Sequence, residues 1–333
     1  MHADKDDRHA TAVRLRGITK RYGETLALDS VDLDIAANQI VALLGPNGSG
    51  KTTLLHILCT ILLPDKGTGE ICGFDILRQP LKARQHLGVV FQEPSLDGRL
   101  SVYENLDFHG LVYRVPWRSR RQRISEVLEL VELEEWRDEP VRSLSAGMKR
   151  RLEIGRALIH ESRVILLDEP TVGLDAQSRA RIWQYLGDLR RSREITVVVT
   201  THYIEEVEGC DEVCIIDKGT ILAQGSPESL KQTHGRQVLR VTPRDDHAEA
   251  EILAAFPDAL RNPSGQLLLQ SANPEMVDLF LQRLGNRVRR IDIDTASLES
   301  VFLSLTGRDL RDKPANAREK TLAFARRGGE FTR

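Results

Sequence analysis

Gly45-Pro46-Asn47-Gly48-Ser49-Gly50-Lys51-Thr52 is the stretch on which the reading of this chain turns. It has the form G-x-x-x-x-G-K-[ST], a glycine-rich turn whose successive backbone N–H groups converge on one point. Gly45, Gly48 and Gly50 keep that concavity free of side chains. The run Gln39-Ile-Val-Ala-Leu-Leu44 before it has the length and composition of a buried parallel strand. Thr53-Leu-Leu-His-Ile-Leu-Cys-Thr-Ile-Leu62 after it carries helical apolar spacing. A helix starting there adds its partial positive charge at the same point, so loop and helix both favour an anion. The expectation is a nucleoside triphosphate cradled by residues 45–53. Lys51 reaches its β- and γ-phosphates and the Thr52 hydroxyl ligates Mg²⁺.

Working outward, Val164-Ile-Leu-Leu167 are four large apolar residues followed by Asp168 and Glu169. Such a run fits a central strand buried on both faces, and ligands of open α/β sheets sit beyond the carboxyl ends of the strands. Asp168 suits the Mg²⁺ shell through a water, because Mg²⁺ keeps much of its hydration. Glu169 suits a general base that orients the attacking water. Pro170 then turns the chain.

Lys51 and Asp168 lie 117 residues apart, far more than one crossover needs, so a subdomain is inserted between them. Its last part is Leu144-Ser145-Ala146-Gly147-Met148, leading into the amphipathic run Lys149–Ile159. Ser145 stands where an N-cap belongs and Gly147 leaves backbone N–H groups open to an anion.

Phosphate loop, Ser145 segment and paired acids, in this order, resemble the ATP-binding-cassette ATPases, the nucleotide-hydrolysing subunits of ABC transporters. The resemblance covers roughly residues 13–235. It implies that Tyr22 stacks on adenine and that Gln92, in Val89-Val-Phe-Gln-Glu-Pro94, touches Mg²⁺ or water and senses the membrane subunit. Gly173-Leu174-Asp175 matches the loop that crosses to a partner ATPase, and Asp175 is counted with the nucleotide site. His202, closing the run Ile195–Thr201, matches the histidine that holds the γ-phosphate and the attacking water. The same resemblance implies a dimer, homodimeric by expectation, in which ATP on one loop is covered by Ser145 and the N–H groups near Gly147 of the other subunit. One position departs from the family's Ser-Gly-Gly pattern: Ala146 replaces a glycine. A helical φ there is unstrained for alanine.

Composition agrees. The chain has 333 residues, enough for one large α/β domain and a smaller one, and its net charge of −2 gives no general attraction to nucleic acid. No segment approaches the roughly 18 apolar residues of a membrane span, and the N-terminus does not read as a secretion signal. The expectation is a soluble protein, cytoplasmic and peripheral on the membrane, whose passage through the bilayer belongs to a separate permease. Cys59, Cys72, Cys210 and Cys214 lie in apolar contexts and read as packing.

The sequence thus predicts an α/β P-loop cassette at 12–235, with a core sheet, an antiparallel β subdomain and a helical subdomain at about 93–160. Residues 1–11 and 307–333 read as disordered ends. In the helical region Arg114, Arg118, Arg120, Arg121 and Arg123 surround Trp117 and read as a solvated face. Residues 236–306 carry the order β-α-β-β-α-β plus a final helix, a small ferredoxin-like layer. Its closing Ala296–Gly307, together with Pro94-Ser-Leu-Asp97 and Thr200–Glu206, resembles drug-resistance exporter ATPases of the daunorubicin/doxorubicin type. The function expected is the ATPase of an export system. The rival is a soluble cassette working on ribosomes or DNA. That rival usually has two cassettes, a long coiled coil or zinc modules, and the sequence carries none of these.

Overall fold

The computed structural model describes residues 11–235, 237–262, 265–271, 274–294 and 297–307. They form two compact units, divided between Pro227 and Glu228. The division falls ahead of the boundary at 235 expected from sequence, because α8 (Pro227–His234) groups almost wholly with the second unit. Thr11, expected in a tail, opens the first strand, and Gly307, expected in the other tail, caps the last helix with φ 69°. The remainder of both expected tails, 1–10 and 308–333, lies outside the described residues.

In the first unit β1 (Thr11–Tyr22), β2 (Thr25–Ala36), β4 (Lys66–Ile71) and β5 (Phe74–Asp75) make an antiparallel sheet of order β2-β1-β4-β5. The second sheet contains β3 (Ile40–Leu44), β6 (Leu87–Val90), β7 (Val164–Asp168), β8 (Thr196–Thr201), β9 (Glu212–Asp217) and β10 (Thr220–Gly225). Its order is β10-β9-β3-β8-β7-β6, parallel throughout except for the edge strand β10. Every residue of β3, β7 and β8 is buried. This is why these strands read as unbroken apolar runs rather than alternating ones. α1 (Lys51–Leu58) follows β3, and its Leu54, Leu55, Ile57 and Leu58 pack into a core shared with β1 and β2.

Between β6 and β7 the chain builds α3 (Val102–Val112), α4 (Trp117–Leu130) and α5 (Ala146–Leu158); α2 (Pro80–Gln85) precedes β6. Ser101 and Glu104 start α3 with reciprocal bonds to each other's backbone N–H groups. The arginine cluster is not uniformly solvated. Arg118 and Arg121 are exposed, but Arg120 is buried, donating to Asp107 Oδ1 at 2.6 Å and to the Val115 carbonyl at 2.9 Å. Only a chain reversal at 113–116 brings those partners within reach, and apolar spacing does not encode that. After β7 come α6 (Ala176–Arg193) and the single turn α7 (Ile204–Val207).

The second unit has β11 (Gln237–Pro243), α9 (Asp246–Ala255), β12 (Leu260–Arg261), β13 (Leu267–Ser271), α10 (Pro274–Leu284), β14 (Val288–Asp294) and α11 (Leu298–Thr306). The sheet order β12-β13-β11-β14, all antiparallel, is that of two split β-α-β units. Phe280 and Ile252 bring α10 and α9 onto a core with Leu239, Val241, Leu267 and Leu269.

Candidate functional site

Strand register builds the site. Leu44 of β3 pairs with Thr201 of β8, and Asp168 of β7 pairs with Thr200 of the same strand. Three parallel strands therefore end at one level. The residues next in line, Gly45, Glu169 and His202, emerge together at the carboxyl edge, as the Asp168–Glu169 pair and the loop led us to expect.

The loop itself is tightly constrained. A Cβ on Gly45 would lie 2.2 Å from the Ile216 carbonyl oxygen, and Gly50 adopts φ 109° with the Ala27 carbonyl 2.7 Å from where a Cβ would stand. Lys51 folds over the loop. Its Nζ donates to the carbonyls of Gly45 and Pro46 at 2.7 and 3.0 Å and sits 3.9 Å from Glu169 Oε1. Burial lowers the Lys51 pKa, with the carboxylates of Glu169 and Asp168 opposing the shift. Ser49 Oγ is buried without a partner, an orphaned hydroxyl within the cradle.

Around the lysine stand the acids. Thr52 Oγ1 donates to Asp168 Oδ1 at 3.4 Å, and Thr200 Oγ1 donates to the same oxygen at 2.6 Å. Glu169 has φ 44°, its N–H donating to Thr200 Oγ1 at 2.9 Å. Its carboxylate accepts from Gln92 Nε2 at 3.4 Å and lies 3.2 Å from His202 Nδ1. A carboxylate only accepts, so in this pairing Nδ1 carries the imidazole proton. The bond from His202, then its charge and that of Lys51, holds Glu169 below the usual carboxylate range, against the opposing effect of burial. Loop, Lys51, Thr52, Asp168, Glu169, Gln92 and His202 thus form one cluster. Among the described residues no group of three or more His, Cys, Asp or Glu side chains is placed to hold a metal. A divalent cation beside Thr52 and Asp168 would take hydroxyl, carboxylate, water and phosphate oxygens, which fits Mg²⁺.

The other expected residues belong to other elements. Tyr22 ends β1 opposite Thr25 and is 50% exposed. Ser145 caps α5 as its position suggested, accepting from Met148 N–H at 3.2 Å. Ala146 is the first helical residue, outside the positive-φ region, so its methyl group introduces no strain. Asp175 caps α6, its Oδ1 accepting from Ser178 N–H at 2.9 Å. Ser145, Gly147, Asp175 and Ser178 line a separate cavity of about 480 Å³ that includes no residue of the phosphate loop.

Several residues of the site carry no local signal. Thr200 bridges Asp168 and the Glu169 backbone. Buried Glu206 accepts from the hydroxyls of Thr171 and Thr201. Arg150, with Glu153 beside it, reaches backbone carbonyls around Glu169. Their partners lie 18 or more residues away except for Glu153 and the Thr201–Glu206 pair, and half of these bonds are to main-chain atoms. The only sequence hint was polar residues inside otherwise apolar elements.

Comparison with known proteins agrees with this geometry. Residues 28–172 match the family described as ABC transporter. The Nod factor export ATP-binding protein I of Ralstonia nicotianae is 39% identical over 305 residues, spanning 90% of this chain and 94% of its own. The daunorubicin resistance ATP-binding protein DrrA3 of Streptomyces coeruleorubidus is 34% identical over 313 residues, 92% of this chain and 99% of its own. Among solved structures, cbiO1 from Clostridium perfringens, part of the transporter complex cbiONQ, superposes with TM-score 0.63 at 30% identity over 67% of this chain and 92% of its own. A dimeric cassette in a post-hydrolysis state with ADP and Pi gives TM-score 0.58 at 31% identity, over 64% and 98%. The chain belongs to the ABC transporter family, as one of its ATP-binding, ATP-hydrolysing subunits.

Proposed function

We propose that this subunit powers an export system, acting through a separate membrane permease and as a dimer of cassettes. The observation that carries the chemistry is the convergence of Lys51, Glu169, Gln92 and His202 on one strand edge. The export assignment rests on full-length similarity to subunits named for Nod factor export and daunorubicin resistance. That similarity favours export over a role on ribosomes or DNA. Among the described residues no helix is long and apolar enough to cross a membrane, so the reading assigns the passage to the partner.

In this reading Gly45–Thr53 hold the phosphates of ATP and Tyr22 stacks on the adenine. Thr52, Asp168 and Gln92 would hold Mg²⁺. Bound there, the cation neutralises charge developing on the phosphoryl oxygens. Glu169 accepts a proton from the attacking water, and its depressed pKa keeps it ionised and ready to do so. His202, its Nδ1 proton directed at Glu169, fixes the carboxylate and stands beside the γ-phosphate. Ser145, Gly147 and Asp175 serve the nucleotide of the second subunit. A γ-phosphate held from both sides closes the dimer, and its release opens it, a population shift driven by differential affinity.

Glu169→Gln tests the reading. It keeps the shape, replaces one acceptor oxygen by an NH₂ donor and removes the base, so the variant should bind ATP, lose about 10²–10⁴-fold in hydrolysis, and run as a dimer with ATP on size-exclusion chromatography. Wild-type turnover, or a monomer with ATP bound, would overturn it.

A further inference from the structure

Arg150 lies on the second turn of α5, five residues beyond Ser145 and about 7.5 Å along the helix axis. It is buried, and all five of its guanidinium N–H groups are used. Nε donates to the Pro170 carbonyl at 2.8 Å. Nη1 donates to the Phe91 carbonyl at 2.6 Å and to Glu153 Oε2 at 3.0 Å, while Nη2 donates to the carbonyls of Asp168 and Glu169 at 3.1 and 3.2 Å. Glu153 Oε1 in turn accepts from Ser95 N–H at 2.8 Å.

The identity of those acceptors matters. Three are consecutive carbonyls at 168–170, fixing the peptide planes on both sides of Glu169. The fourth belongs to the peptide that leads into Gln92. Glu169 meanwhile has φ 44°, a left-handed conformation that non-glycine residues hold only against a steric cost. Its N–H is pinned by Thr200 and its carbonyl by Arg150. With φ in the ordinary right-handed region, the Cβ direction would change, and the carboxylate would leave the reach of His202 and Gln92.

We infer that Arg150 is a positioning residue for hydrolysis: it locks the Glu169 and Gln92 backbones in place and ties them to the helix that begins at Ser145. The inference rests on the reading of Glu169 as the base. Through this fork, a load on the N-terminus of α5 reaches the geometry of the subunit's own Glu169 without passing through the phosphate loop. A misplacement near 1 Å at such a group costs on the order of 10²-fold in rate.

Two variants test it. Arg150→Lys keeps a charge facing Glu153 but has three donors for five acceptors. Arg150→Gln/Glu153→Gln removes both charges and leaves no buried ion unpaired. Each should lower kcat by roughly 10- to 100-fold while KM for ATP stays within about twofold. Introduced into Glu169→Gln, either change should lower the residual single-turnover rate by far less than it lowers the wild-type rate, since the base that Arg150 positions is already removed and only its hold on Gln92 remains to be lost. Unchanged kcat, a KM rising in step with the loss, or the same loss in the Glu169→Gln background would overturn the inference. A Glu169→Gln protein as active as wild type would instead overturn the reading beneath it.

Discussion

Gly45→Ala is the sharpest perturbation of the phosphate loop. An alanine Cβ would sit 2.2 Å from the Ile216 carbonyl oxygen and 2.7 Å from Ser49 Oγ. Carbon and oxygen rest at about 3.3 Å or more, so one partner must move by about 1 Å. Ser49 can rotate, but Ile216 cannot. It is fully buried in β9, whose neighbour Ile215 pairs with Leu44. The displacement therefore falls on the loop, at an overpacking cost of about 1–3 kcal/mol to the unliganded protein. Moving the loop also breaks the convergence of its N–H groups. Loss of one hydrogen bond to a charged phosphate, at about 1.5–3 kcal/mol, weakens nucleotide binding tenfold or more. Thermal unfolding with ADP measures both effects, since ADP is not consumed. At a ligand concentration 100 times the wild-type Kd the wild type gains about 2.7 kcal/mol, and a tenfold weaker variant gains about 1.4 kcal/mol. A variant with the wild-type midpoint and the full ADP-dependent gain would refute the steric argument.

Three further outcomes are expected. Thr200→Val leaves Asp168 Oδ1 and the Glu169 N–H short of a partner in a fully buried place, so urea unfolding should show a loss of about 1–3 kcal/mol that Thr200→Ser restores. Ala146→Gly returns the family's usual residue yet adds backbone freedom to the first turn of α5. It should cost up to about 1 kcal/mol and leave ATPase activity within about twofold; a large gain in activity would show that the methyl group obstructs the site. His109 and His160 are pushed by burial to about 3 and about 4, from an ordinary value of 6.5. The unfolded chain binds protons that the fold refuses, so their contribution is intact above pH 6.5 and is lost as pH falls toward the folded values, at up to about 1.4 kcal/mol per pH unit for each ring. His109 Nε2 has no partner, so His109→Phe should flatten the fall in stability between pH 6.5 and 4, and an unchanged slope would count against this account.

What could be read in the sequence was local. The loop, the paired acids at the end of an apolar run and the cap at Ser145 each occupy a few consecutive residues, and backbone geometry acts over that range. The ferredoxin-like order of the second unit was legible for the same reason, since period-2 and period-3.6 patterns alternate cleanly there. Arg150, Thr200 and Glu206 were not legible. Each is a polar residue inside a buried element, meaningful only through partners that strand order brings close. The buried Arg120 was misread as surface because a run of arginines on one helix does not reveal which of them faces a neighbouring helix.

The cap and the second turn of α5 limit how cassettes can be recombined. A graft that exchanges only 144–149 replaces a helix cap and the first helical turn, and asks of the host little beyond a place for the buried Leu144 side chain. A graft extended through Glu153 carries Arg150 with it, and Arg150 requires carbonyls at 91, 168, 169 and 170 set to receive four of its five N–H groups, the fifth going to Glu153. Exchangeable units in such chimaeras should therefore be chosen by sockets rather than by motif boundaries: the segment that looks like one signature contains a portable cap and an arginine fitted to its own lock.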